Sequence, residues 1–303
     1  MQGGIPICFP QFGNCGSLEQ HGFARNKIWT IDDNPPPLHT NDSKGKAYID
    51  LLLKPSEEDL KCWPHWTACG LLSSRWSHPV LSPALTMHAD IDLRSCLHVW
   101  WSVLYLLCQN SDVLLTDHVL FSFEFRLRVS LSSDGDLTII SRIRNINGKP
   151  FNFSFAYHTY LSISDISEVR IEGLETLDYL DNLYQRERFT EQDDAVTFES
   201  EVDRVYLSSP NVIAVLDHER KRTFVIRKDG LPDVVVWNPW EKKSKTMVDF
   251  GDEEYKQMLC VDGAVIERPI PLRPGEEWTG RVELSVVPSS YCSEPLDSQH
   301  RGL

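Results

Sequence analysis

The sequence is short of positive charge: 30 Lys and Arg stand against 44 Asp and Glu, a net charge of −14. That balance argues against a nucleic-acid face or an anionic-membrane face, because either needs clustered cations. Any phosphate bound here must be caught locally, by one or two arginines. The eight cysteines contain no C-x-x-C pair and no pairing with His at metal-ligand spacing, so they read as reduced thiols of a cytosolic protein with no zinc motif. No long apolar run occurs. The most apolar segment, CLHVWWSVLYLLC at 96–108, has 13 residues, short of the ~18 that a bilayer requires, and reads as buried core. The N-terminus lacks a basic region followed by an apolar stretch, so no secretory signal is expected. Internal repeats are absent, and the only low-complexity tract is Pro35-Pro36-Pro37.

At 303 residues with 41% hydrophobic content, the chain can bury a sizeable core. From residue 122 its pattern is that of strands. In SFEFRLRVSLS, Phe123, Phe125, Leu127, Val129 and Leu131 alternate with polar residues, the period of a half-buried strand. Asp134-Gly135 supplies a hairpin turn, LTIISRIRNI returns, and after Asn147-Gly148 the stretch FNFSFAYHTYLSI reads as a third strand. Short apolar runs continue to the end: RVYLSS, NVIAVLD, TFVIRK, DVVVWN, QMLCVD and RVELSVV. With no stretch keeping helical periodicity over three turns, the expectation is an all-β sandwich in one domain, 1–303. Residues 66–121 break this style. They hold four of the nine Trp and three of the eight Cys without strand alternation, and read as an atypical insertion, either an inserted lid or sequence that never evolved to fold. Residues 291–303 read as a flexible tail.

Strand parity sets Phe151, Phe153, Phe155 and Tyr157 on one face and His158 on the other. There His158 is either a solvated histidine or a proton donor aimed into a cleft. Met258, Cys260 and Asp262 share a face. A carboxylate just after an apolar strand must find water, a cation or a reacting proton, although Asp-Gly in this position is commonly a turn. Gln20, His21 and Arg25 crowd one loop with no strand evident before it. Asp203 and Arg204 read as a solvated pair on a strand edge. Trp237 and Trp240 read as core, or as an aromatic face for a sugar.

Together GGIPICFPQFG, QHGFARN, FSFAYHTYLSISDISEV, GLETLDYLD, VDRVYL, GLPDVVVWNPWEKK, DFGDEEYKQMLCV and LRPGEEWTG resemble the hexose-6-phosphate mutarotases (glucose-6-phosphate 1-epimerases) of the aldose 1-epimerase superfamily, the plant members most strongly. The resemblance covers residues 2–65 and 122 to about 290. It implies a galactose-mutarotase-like β-supersandwich that interconverts the α and β anomers of a hexose 6-phosphate, as a cytoplasmic monomer without metal or organic cofactor. It implies His158 as the general acid on the ring oxygen, Asp262 as the base on the C1 hydroxyl, Gln20 and Asp203 as substrate contacts, Arg25 as the phosphate ligand and His21 as an added contact. Acid and base are then expected on opposite sides of the acetal carbon. The chain departs from the family in having Asp262 for the usual Glu and Gln2 for an Arg before GGIP, and in lacking strands upstream of GGIP, which reads as a truncated start. The alternatives are a noncatalytic sugar-phosphate binder on the same scaffold and an inactive truncated or inserted form.

Overall fold

A computed structural model describes residues 4–36, 47–56, 59, 63, 123–248 and 250–289. The 66–121 segment and the 291–303 tail lie outside the described residues. In chain order the strands are β1 (Ile7–Cys8), β2 (Thr30–Ile31), β3 (Ala47–Leu53), β4 (Phe123–Leu131), β5 (Leu137–Asn145), β6 (Phe151–Tyr157), β7 (Tyr160–Ser162) and β8 (Val169–Glu172). They continue as β9 (Asp178–Asp181), β10 (Glu187–Thr190), β11 (Val202–Tyr206), β12 (Val212–Asp217), β13 (Arg222–Asp229), β14 (Asp233–Asn238), β15 (Met258–Leu272) and β16 (Glu277–Pro288). A short α-helix, α1 (Trp240–Ser244), lies between β14 and β15. Among the described residues no helix is long and apolar enough to cross a membrane.

The strands form two eight-stranded sheets. The first runs β1-β6-β15-β14-β11-β9-β10, with β7 also on β15, and the second runs β2-β3-β4-β5-β16-β13-β12-β8. The expected alternation holds in the first half of β4, where Phe123, Phe125 and Leu127 are buried and pair with β5 in antiparallel register. Beyond Leu127 it reverses, with Arg128 and Ser130 buried and Val129 and Leu131 half-buried, because Arg128 pairs with the buried Asp50 of β3. Between the sheets lies one continuous core that includes Phe125, Phe155, Tyr157, Val236, Val261 and Val265. Burial of these rings and branched side chains is the main driving force for the fold.

The other face of the first sheet carries a second, smaller cluster, with Cys8, Ala156, Val205, Val235 and Ala264 among its members. Register brings them together: Cys8 faces Ala156 on β6, Ala156 faces Ala264 on β15, and Val235 faces Val205 on β11. Phe12, Leu207 and Ile266 complete this cluster.

The stretch read as one strand from Phe151 onward is two. It breaks at His158 and Thr159, between β6 and β7. Just before the break, Tyr157 passes through the core, and its buried hydroxyl meets Ser141 Oγ at 2.7 Å and the Gly280 carbonyl at 3.0 Å in the second sheet. This peg fixes the backbone next to His158. Tyr157→Phe strands the buried Ser141 hydroxyl and should cost about 1–3 kcal/mol, read as a lower urea midpoint with an unchanged m-value.

The loop of residues 9–26 is firmly scaffolded. β1 pairs with β6, and the Phe9 ring packs edge-on against Phe123, Phe125 and Phe153 at 5.2–5.5 Å. The Gln11 side chain accepts from the Leu18 amide and donates to the Gly13, Leu18 and Glu19 carbonyls, each at 3.2 Å. Gly22 has φ +72°, and a Cβ there would lie 2.3 Å from the Phe9 carbonyl oxygen, so only glycine lets this loop close onto β1.

Candidate active site

Asp262 sits inside β15, paired with Val235 of β14, so its Asp-Gly step is strand and not a turn. Its side chain is fully buried and turned to the same face as Cys260. One carboxylate oxygen accepts from the Thr159 amide at 2.7 Å, and the other lies 2.8 Å from His158 Nδ1. The chain break after Tyr157 is thereby explained, since Asp262 captures the Thr159 amide and the ring of the residue before it. Burial pushes the Asp262 pKa up, opposed by attraction to His158 and by the Thr159 amide.

His158 is 12% exposed against 0% for Asp262, so the imidazole, and not the carboxylate, reaches the open face. Its Nε2 lies 3.0 Å from the Tyr160 hydroxyl. Both ring nitrogens therefore have partners, in a line Asp262–His158–Tyr160. Sequence reading placed the acid and the base on opposite sides of a sugar carbon. The structure instead puts them in direct contact, and no carbon fits between atoms 2.8 Å apart.

His21 lies beside this pair, its ring stacked on that of His158 with centroids 5.7 Å apart and an interplanar angle of 20°. Its Nδ1 accepts from the Gly13 amide at 3.2 Å, which leaves Nε2 as the protonated nitrogen. Burial, together with repulsion from His158 and Arg25, pushes its pKa down to about 3. At neutral pH His21 is a neutral hydrogen-bond donor.

Arg25 Nη2 donates to the Gln20 carbonyl at 2.8 Å, while its Nε is buried with no hydrogen-bond partner. A buried guanidinium N–H left unmet is costly. Gln20 is exposed, and its link to the site is this carbonyl.

A row of directly opposed residues crosses four strands: Tyr160, Cys260, Trp237 and Asp203. Asp203 is no solvated edge residue. It lies on a strand with neighbours on both sides and accepts from Asn182 Nδ2 at 2.7 Å, and burial raises its pKa. Arg204 points to the opposite face, over the Tyr179 ring at 4.5 Å. Trp237 lines the site, with its ring 5.9 Å from that of His158, whereas Trp240 packs on Tyr255. From Cys260 to Asp203 is two strand spacings, about 10 Å, a width suited to a pyranose and its hydroxyls.

Tyr160 and Asn182 were missed by sequence reasoning. Tyr160 carried a signal, since it follows His158 by two residues; Asn182 is joined to Asp203 only through tertiary structure. A groove of about 530 Å³ on the second sheet, lined by residues including Arg126, Arg142, Glu124 and Glu277, shares none of these residues. Its charges largely offset one another, with Arg126 paired to Asp32 and Glu124.

The sequence profile of the aldose 1-epimerase family matches residues 1–69 and 111–285. A provisionally named glucose-6-phosphate 1-epimerase of Cenchrus ciliaris is 54% identical over 98% of this chain and 74% of its own length. One of the same provisional name from Escherichia coli K12 is 26% identical over 87% of this chain and 67% of its own. Among solved structures, a provisionally named mutarotase of Salmonella typhimurium superposes with TM-score 0.65 at 22% identity, covering 94% of this chain and 74% of that one; it shares the fold. The likeness extends to a galactose mutarotase-like protein of Clostridium acetobutylicum, TM-score 0.57 at 15% identity, covering 94% and 79%. Two eight-stranded antiparallel sheets of galactose-mutarotase type, matched by profile over most of the chain, place it in a single group: this chain belongs to the aldose 1-epimerase family.

Proposed function

We propose that the chain interconverts the α and β anomers of a hexose 6-phosphate, glucose 6-phosphate foremost, by acid/base-catalysed opening and closing of the ring. The observation that carries this reading is the His158–Asp262 pair, set on an open sheet face beside Trp237, Asp203 and the unfilled donor of Arg25. His158 delivers a proton to the ring oxygen as the C1–O5 bond breaks, and Asp262 takes the proton of the C1 hydroxyl, giving the open-chain aldehyde. Rotation about C1–C2 and closure on the other carbonyl face, with the two groups in exchanged roles, gives the other anomer. For both to serve one sugar, the Nδ1···Oδ2 contact opens as the C1 hydroxyl enters, since a transferring group must come within ~3 Å of its proton.

Asp203, fixed by Asn182, accepts from sugar hydroxyls, and His21 donates through Nε2. The Trp237 ring offers an apolar platform for the sugar's C–H face. Arg25 holds the phosphate with its open N–H groups. In this reading the protein is a plant-type cytosolic monomer, in which the thiols Cys8, Cys15 and Cys260, unpaired in the structure, stay reduced.

Arg25→Ala tests the phosphate assignment. Losing a hydrogen-bonded charge contact is expected to raise KM for glucose 6-phosphate roughly 10- to 100-fold, with little effect on the anomerisation of free glucose. Equal losses on both sugars would remove Arg25 from phosphate recognition.

The buried Asp262 and its direct contact with His158 favour a second reading, a noncatalytic binder of the same sugar phosphates. Binding without turnover in the natural chain, and turnover appearing in Asp262→Glu, would select it.

A further inference from the structure

Cys260 is used by none of the chemistry above. It precedes Asp262 by two residues on β15 and so faces the same way, and β7 sets it directly opposite Tyr160, two residues past His158. A ring nitrogen of His158, the sulfur of Cys260 and a carboxylate oxygen of Asp262 all lie within 4.8 Å of one another. Imidazole, thiolate and carboxylate are the donor types zinc takes, at about 2.0–2.3 Å each, which sets ligand atoms ~3–4 Å apart around a tetrahedral ion. The Nδ1–Oδ2 edge, at 2.8 Å, needs a slight spreading, and no edge of the group exceeds 4.8 Å. Strand register fixes two of the three groups, so little ordering is left for the ion to impose. We infer that His158, Cys260 and Asp262 form a binding site for a thiophilic divalent cation of the zinc class, whose occupation blocks the acid/base pair.

The competing description is a hydrogen-bonded His–Asp pair with an inert core thiol beside it. The two differ in what the sulfur does. When the ion binds, Cys260 loses its proton to solvent and its sulfur becomes a ligand, while the proton shared between His158 and Asp262 is displaced. Burial and the negative charge of Asp262 hold the free thiol protonated; a cation at this spot reverses that preference. The fourth coordination position is left to water or a sugar hydroxyl. Inhibition rests on the proposed anomerase reaction, but the binding site does not.

The test is titration of the reduced full-length chain with Co²⁺ under argon, followed by near-ultraviolet absorption. The expected result is a thiolate-to-cobalt charge-transfer band that is absent in Cys260→Ser and kept in Cys15→Ser, the latter controlling for an exposed thiol. His158→Gln, which leaves the sulfur in place, should weaken Co²⁺ binding ~10-fold or more and guards against misfolding of the serine variant. Zn²⁺ should displace the cobalt band and, where the chain turns over, inhibit with the same apparent affinity. A band that survives Cys260→Ser, a band whose midpoint is unmoved in His158→Gln, or no band at all would overturn the site. Metal binding in a chain with no anomerase activity would sustain the site and count against the proposed reaction instead.

Discussion

His158→Ala is expected to reduce the anomerisation of glucose 6-phosphate in excess of the spontaneous rate by about 10²- to 10⁴-fold, the range one positioned acid/base group supplies. The imidazole is the member of the pair that reaches the open face. His21 is 5.7 Å away between ring centroids, but burial holds it neutral, with a pKa pushed down to about 3, so it is a poor proton carrier. The loss should not come from unfolding. The main-chain amide of residue 158 keeps its bond to the Pro6 carbonyl, and the side chain lies on the cluster's edge, outside the inter-sheet core. Removing the imidazole also leaves the buried Asp262 Oδ2 short of a partner, at about 1–3 kcal/mol. A moderately lower urea midpoint beside a collapsed kcat, in a chain that still folds, is therefore the expected pattern, and a fall in KM without a fall in kcat would oppose it.

Asp262→Asn is expected to be nearly as damaging, at about 10²- to 10⁴-fold in kcat. Asparagine has the same shape, and its oxygen can still accept from the Thr159 amide, so the break between β6 and β7 persists. What is lost is the negative charge and the capacity to take a proton. If the Asn nitrogen turns to His158 it donates to Nδ1 and forces the ring proton onto Nε2, the wrong tautomer for a group meant to pass a proton back and forth. Because burial opposes the charge of Asp262, the variant is expected to fold at least as stably as the natural chain. Loss of stability in proportion to loss of rate would mean that the carboxylate holds the fold and not the reaction.

The strands were legible because their cause is local. Alternation in β4, the turn at Gly135 and the apolar runs of β11 to β16 each follow from neighbours in sequence, and parity alone put His158 on the face away from Phe155. Features caused by distant partners were not legible. The strand break at His158 depends on a carboxylate 104 positions away, and Asp262-Gly263 remains extended because both residues pair with β14, with β6 joining β15 from Ala264 onward. Asp203 reads as a surface residue until β9 and Asn182 close over it. The loop at 9–26 seemed unsupported because its support is Phe9 reaching into the aromatic core and Gln11 bonding back across the loop. The six proposed site residues came from joint resemblance. The structure adds how they are held, and it corrects one feature, the expected gap between His158 and Asp262.

The central claim is that His158 and Asp262 pass protons to and from a bound sugar phosphate. It is tested most directly by two-dimensional NMR exchange between the anomeric proton signals of glucose 6-phosphate, comparing the natural chain with His158→Ala at equal concentration. Exchange cross-peaks that grow with the natural chain and fall to the protein-free level with the variant are the predicted result. Cross-peaks no stronger than the protein-free control with folded natural chain, or equally strong with both, would contradict it.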